Sequence, residues 1–410
     1  MRSWFSRIVR LIAGITFAVQ AITIGTLLVI DNYRKRGRRH KEFPTRTSPE
    51  ISAADSTLRV YTYGQDVYDD MLAAIEGAHD RVYFETYIWK SDAVGERFKE
   101  AFVAAAGRGV EVCLAYDVFA NLVVDPLFFR FPRTVKVLRH TPMTGITGGL
   151  WHPRVPGLNH RKMLIVDGEV AFVGGYNLGA MYATRWRDTH ARLHGSIVAE
   201  LENAFVDYWN IARSASLPEL ESPTGRSWTS PVRVTRNVPS ALVFPIRYMY
   251  LEAIDRAHSY IYLTHAYFIP DNDLTKALLD AVRRGVDVRL IVPARSNHII
   301  ADWLSRGLYS VLLRGGVRIF LYQGTMIHAK TATIDGQWST IGTANLDRLS
   351  LSWNYEINVD AASTDLAADM EKTFAMDLSN SVELTLDDWE RRGMLSKVSE
   401  RILVPLRPFL

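Results

Sequence analysis

The chain is expected to be an α/β protein built from two homologous α/β/α domains in pseudo-twofold arrangement, preceded by one N-terminal transmembrane helix. Three observations lead there: a helix and strand pattern that occurs twice, a second repeat at one constant offset, and twenty uncharged residues near the N-terminus.

The first repeat sets "AAIEGAHDRVYFETYIW" against "EAIDRAHSYIYLTHAYFIP", and "AFVAAAGRGVEVCLAYD" against "ALLDAVRRGVDVRLIVP". Each copy reads helix, strand, helix, strand. The helices have apolar residues near 3.6-residue spacing and stop at Gly107 and Gly109, then at Gly285. The strands are the apolar runs from Val110 to Tyr116 and from Val286 to Val292. Helices alternating with apolar strands imply layered α/β domains.

The second repeat aligns "NHRKMLIVDGEVAFVGGYNLG" with "IHAKTATIDGQWSTIGTANLD" without a gap, 168 residues apart. It pairs His160, Lys162, Asp167 and Asn177 with His328, Lys330, Asp335 and Asn345, and in the same register Asp188 with Glu356. Core packing needs apolar residues at matching positions but not a polar set at identical spacings, so the duplication points to chemistry. The proline- and serine-containing stretch "LPELESPTGRSWTSPVRV" separates the copies. The expected organisation is an anchor and basic linker over 1–56, a first domain over 57–217, a linker over 218–235, a second domain over 236–380, and an amphipathic, basic C-terminal segment over 381–410.

Residues 11–30 carry no charge and, at about 1.5 Å per residue, form a helix matching the roughly 30 Å hydrocarbon core. A cleaved signal peptide would have a shorter apolar region. The heavier basic flank, Arg34 to Lys41, follows the span and places the catalytic body on the cytoplasmic side of a cell membrane. Residues 1–46 hold ten Lys/Arg and two Asp/Glu, leaving 38 basic against 42 acidic residues in the body. That balance argues against nucleic acid as a partner. The single cysteine, Cys113, excludes an internal disulfide and reads as a buried structural thiol.

If "HRKMLIV" is a strand, His160 and Lys162 share one face and Asp167 points to the other; the second copy has the same parity. His and Lys then act together, and Asp supports the fold. Two such pairs brought together place two imidazoles and two ammonium groups around one phosphate. One neutral histidine attacks phosphorus while the other, protonated, donates to the leaving alkoxide. Lys162, Lys330, Asn177 and Asn345 supply donors to the phosphoryl oxygens, and Asp188 and Glu356 accept from the imidazoles. No cofactor and no metal are expected, since neither copy has metal-ligand spacing.

H-x-K-x4-D-G, present twice with Gly and Asn downstream, resembles the phospholipase D superfamily from about Leu58 to Leu410. Its six motif residues, His160, Lys162, Asp167, His328, Lys330 and Asp335, make up the candidate catalytic set. "WRDTHARLHG" and "AYFIPDND", with both motif segments, are most similar to bacterial cardiolipin synthases. The resemblance implies a membrane phosphatidyltransferase that converts two phosphatidylglycerols to cardiolipin and glycerol. It implies His160 as the nucleophile of a phosphatidyl-histidine intermediate and His328 as the acid; the pseudo-symmetry of the sequence allows either order. Phospholipase D hydrolysis to phosphatidic acid uses the same motif, as does nucleic-acid phosphodiester cleavage. The segment "VVDPLFFRFPR" suits either a membrane interface or a buried loop.

Overall fold

The computed structural model describes residues 41–141, 156–223 and 230–403, with short stretches at 19–20, 22–26, 29 and 405. The first half contributes β1 (Ile51–Ala53), β2 (Ser56–Tyr61), β3 (Arg81–Thr86), β4 (Glu111–Asp117), β5 (Val135–His140), β6 (Met163–Val166), β7 (Val170–Gly174), β8 (Trp186–Arg187) and β9 (His190–Gly195). The second contributes β10 (Val232–Arg236), β11 (Tyr260–His265), β12 (Asp287–Pro293), β13 (Arg318–Tyr322), β14 (Met326–Ile327), β15 (Lys330–Ile334), β16 (Trp338–Gly342), β17 (Ile357–Ala362) and β18 (Ser381–Leu384).

Two eight-stranded sheets result, in the orders β1-β2-β9-β7-β6-β3-β4-β5 and β10-β17-β16-β15-β11-β12-β13-β18. From β2 and from β10 onward, seven strands follow the same topology in both. In each, three neighbouring strands run parallel (β3, β4 and β5; β11, β12 and β13), joined by helical crossovers except between β4 and β5, where a loop replaces the helix, and the remainder is antiparallel. Strand β10 begins inside the stretch read from sequence as linker, because Val232 to Arg236 pair with Ala361 to Ile357 of β17.

Local chemistry repeats with the topology. Asp92 caps helix Ala93–Gly107 by accepting from the Val94 and Gly95 N–H groups, and Asp271 caps helix Asn272–Arg283 through the Leu274 N–H. Both helices end at a glycine in the left-handed region, Gly109 (φ 95°) and Gly285 (φ 92°), which turns the chain into the next strand. The inner face of the first sheet, with helix Ile197–Ala212, shares one apolar core with Ile341, Tyr355, Ile357 and Val359 of the second half. Cys113 is fully buried in that core.

The halves are also tied by Arg187 and Asp377, a fully buried bidentate pair with N–O distances of 2.8 and 2.7 Å. The C-terminal segment packs on the second half: β18 extends its sheet, and Leu403 of helix Met394–Leu403 is buried against Leu304 and Ile269. The expected span over residues 11–30 lies largely outside the described residues. Of its described part, Ile24 packs on that same apolar cluster and Gln20 donates to the Ile402 carbonyl at 3.3 Å. Among the described residues, no helix is long and apolar enough to cross a membrane.

Candidate active site

The strands predicted to start at the motif histidines start later. In the first copy β6 begins at Met163, so His160 and Lys162 lie in the extended segment ahead of it. In the second, Lys330 is the first residue of β15. That segment is held by the opposite half: Asn159 bridges in parallel to Tyr355, and β14 pairs in parallel with β8, so Ile327 lies against Arg187. The two contacts are equivalent by the 168-residue offset. The His160 N–H consequently donates to the Tyr355 carbonyl (3.0 Å) and the His328 N–H to the Arg187 carbonyl (2.6 Å).

One residue beyond Tyr355 and Arg187 stand Glu356 and Asp188. His160 Nδ1 lies 2.9 and 3.0 Å from the two carboxylate oxygens of Glu356, and His328 Nδ1 lies 2.6 Å from Asp188 Oδ2. Each imidazole is therefore oriented by the carboxylate of the other copy. All four side chains are buried, as are Lys162 and Lys330. Lys162 Nζ donates to the His160 carbonyl at 2.5 Å, and Lys330 Nζ sits 2.8 Å from His328 Nδ1 and 3.2 Å from its Nε2.

Burial and the lysine charges lower the pKa of both histidines, His328 to about 3, against the opposing pull of the carboxylates. Asp188, despite its burial, is held below the usual carboxylate range by Lys330 and His328. At neutral pH His328 is thus a neutral imidazole giving its Nδ1–H to an anion, which leaves Nε2 with its lone pair. Burial also pushes Lys162 down to about 7 and Lys330 to about 8, so an arriving phosphate anion would favour their charged forms.

Asp167 and Asp335 do not join this cluster, which corrects their place in the candidate catalytic set. Each occupies a left-handed position (φ 54° and 53°), followed by Gly168 or Gly336 at φ 70° and 66°, in the tight hairpin beyond β6 or β15. Asp167 accepts from the His79, Asp80 and Arg81 N–H groups, and Asp335 from those of His258, Ser259 and Tyr260. Their work is to join the hairpin to the start of β3 or β11, at the far end of the motif strand from the histidine. Asn177 and Asn345 are both buried. The Asn177 carboxamide oxygen accepts from the Ile88 N–H at 3.2 Å, leaving its NH2 group as the donor available to a ligand.

Several site residues carried no signal strong enough to be singled out. Tyr87 packs edge-on against His160 with ring centroids 4.7 Å apart, and its face lies 5.2 Å from Lys162 Nζ. Trp186 and Tyr267 flank His328 at 5.0 and 6.0 Å. Tyr87 and Tyr267 follow the equivalent strands β3 and β11, which the helix and strand repeat could have revealed. The Thr343 hydroxyl donates to Glu356. At the equivalent position Gly175 leaves room for Asp188, since a Cβ there would fall 2.0 Å from Asp188 Oδ1. Among the described residues, no group of three His, Cys, Asp or Glu side chains could hold a metal ion.

Comparison with known proteins gives the family. Residues 71–209 and 250–378 match the cardiolipin synthase, phospholipase D-like domain family. The chain belongs to that family. It is 32% identical to the cardiolipin synthase of Listeria innocua over 372 residues, covering 88% of this chain and 77% of the relative. It is 31% identical to cardiolipin synthase A of Pseudomonas aeruginosa, covering 87% and 74%. The fold is shared with the crystal structure of a phosphatidylserine synthase from Haemophilus influenzae (TM-score 0.66, 13% identity, 88% of this chain and 94% of the other). The protein is accordingly an enzyme, a phosphatidyltransferase of the phospholipase D type.

Proposed function

We propose that this enzyme joins two phosphatidylglycerols into cardiolipin, releasing glycerol, with His160, Lys162, His328 and Lys330 as its catalytic residues. The observation that carries the reading is the crossed arrangement of two buried histidines, each with a lysine of its own copy and a carboxylate of the other. His160 Nε2 attacks the phosphorus of the first lipid, and the P–O bond to its glycerol headgroup breaks. His328, charged once the phosphate is bound, gives its proton to the departing glycerol. The phosphatidyl group then rests on His160. Neutral His328 next takes the proton from a headgroup hydroxyl of the second phosphatidylglycerol. That oxygen displaces His160 from phosphorus, and both histidines return to their starting states.

Lys162, Lys330 and the amides of Asn177 and Asn345 neutralise the phosphoryl oxygens throughout. The choice of His160 as nucleophile follows the family resemblance. We further propose that the two sheets with their helices are the two catalytic halves, the second beginning at β10 (Val232) rather than at residue 236, and that the uncharged stretch at 11–30 is a membrane anchor with the catalytic body on the cytoplasmic side. The apolar composition and the basic flank at Arg34 to Lys41 support the last reading.

The test is to incubate the purified chain with phosphatidylglycerol in detergent micelles and analyse the products. Cardiolipin with an equal amount of glycerol is expected. Phosphatidic acid alone would replace the transferase by a hydrolase, and an inert lipid with cleaved DNA or RNA would overturn both.

A further inference from the structure

We propose that the loop 118–134 seats the mouth of the active site on an anionic phospholipid surface, independently of any anchor at the N-terminus. The loop leaves β4 at Asp117 and is pinned to the floor of the site by Asn121. The Asn121 side chain accepts from the Trp89 N–H (2.8 Å) and donates to the carbonyls of Tyr87 (2.8 Å) and Asp117 (2.7 Å). Tyr87 is the ring against His160. Asp117 itself accepts from the N–H of Asn159, the residue before His160. The loop therefore borders the catalytic histidine.

Its side chains divide into two sets. Phe128, Phe129 and Phe131 turn inward around Trp89, and Phe129 stacks on Tyr116 with centroids 4.1 Å apart. Phe119, Leu122, Val123 and Leu127 stay in solvent, exposed by 52, 68, 85 and 55%. Four large apolar side chains within nine residues, on a loop whose other half is locked into the core, form a preordered apolar edge that gains by leaving water. Next to them Arg130 and Arg133 are exposed, against one exposed carboxylate, Asp125, whose Oδ1 accepts from the Leu127 N–H. Apolar tips beside paired guanidinium groups suit a layer with acyl chains below and negative headgroups above, and a phospholipid is what the adjoining site consumes.

The proposal rests on a lipid substrate, but its first test does not depend on turnover. Because Cys113 is buried, the full-length chain carrying Leu122→Cys can be labelled at that position with a polarity-sensitive fluorophore. A Glu76→Cys chain, labelled on the exposed end of helix Gly64–Gly77, serves as the control. Both are reconstituted in vesicles whose acyl chains carry a bromine quencher. Quenching is expected at position 122 but not at 76, and severalfold more strongly in phosphatidylglycerol than in phosphatidylcholine. Equal quenching at the two positions, none at 122, or cross-linking of position 122 to a second copy in place of quenching overturns it.

The second test is the double variant Leu122→Ser/Val123→Ser. Turnover of phosphatidylglycerol vesicles should fall at least about tenfold, while turnover of the dispersed short-chain lipid stays at the wild-type rate. Equal loss on both substrates, or no loss on vesicles, overturns it.

Discussion

Replacing Glu356 by glutamine tests whether each histidine depends on the other copy. The change keeps side-chain volume, removes the charge, and exchanges one of the two oxygens near His160 Nδ1, at 2.9 and 3.0 Å, for an NH2 group that cannot accept. Hydrogen bonds involving a charged group contribute about 1.5–3 kcal/mol. If that stabilisation is made in the transition state, where positive charge develops on His160, the rate should fall about tenfold to about 150-fold.

The assay is single-turnover glycerol release from phosphatidylglycerol, with thermal unfolding to confirm the fold. A second substrate, bearing p-nitrophenol in place of glycerol, identifies the histidine affected, because its leaving group departs without a proton. A variant that disables the general acid recovers on this substrate, and one that disables the nucleophile does not. Glu356→Gln should behave as His160→Ala does, and Asp188→Asn as His328→Ala does. A Glu356→Gln rate within threefold of wild type, or one that follows His328→Ala in the substrate comparison, would refute the crossed arrangement.

Three other outcomes are expected. Asp167→Asn should weaken the anchoring of three backbone N–H groups and destabilise the fold by about 1–3 kcal/mol in denaturant titration, with kcat per folded molecule unchanged. A loss of kcat without a loss of stability would return Asp167 to the catalytic set. Lys162 and Lys330, lowered to about 7 and about 8, must be protonated to bind phosphate. Hence kcat/KM should decline as pH rises through 7 to 8, whereas kcat, measured with the anion bound, declines at higher pH; coincident alkaline limbs would contradict this. Asp377→Ala leaves the Arg187 guanidinium buried without its partner and should cost about 3–5 kcal/mol of stability, which equilibrium unfolding measures; a cost under about 1 kcal/mol would mean that the pair does not tie the halves together.

Much of the site is legible in the chain. The 168-residue offset already matches His160 with His328, Lys162 with Lys330 and Asp188 with Glu356, and alternating helices and apolar strands already imply layered α/β architecture. Strand parity sets Asp167 apart from Lys162, although the strand starts only at Met163. It could not say that Asp167 binds the backbone at the start of β3, because that contact spans 86 residues and leaves no periodic trace. The aromatic loop was equally undecided, since composition does not distinguish Phe129, stacked on Tyr116, from Val123, left in water.

By itself, then, the sequence determined which polar residues recur at matching spacings and that they come in two copies, because a repeat and its spacing are properties of the chain. Only the tertiary structure decided how the copies share them. Glu356 serves His160, and Asp188 serves His328, because the segment before each histidine pairs with the strand end of the opposite half. Each half therefore supplies the histidine and lysine of one pair and the carboxylate of the other.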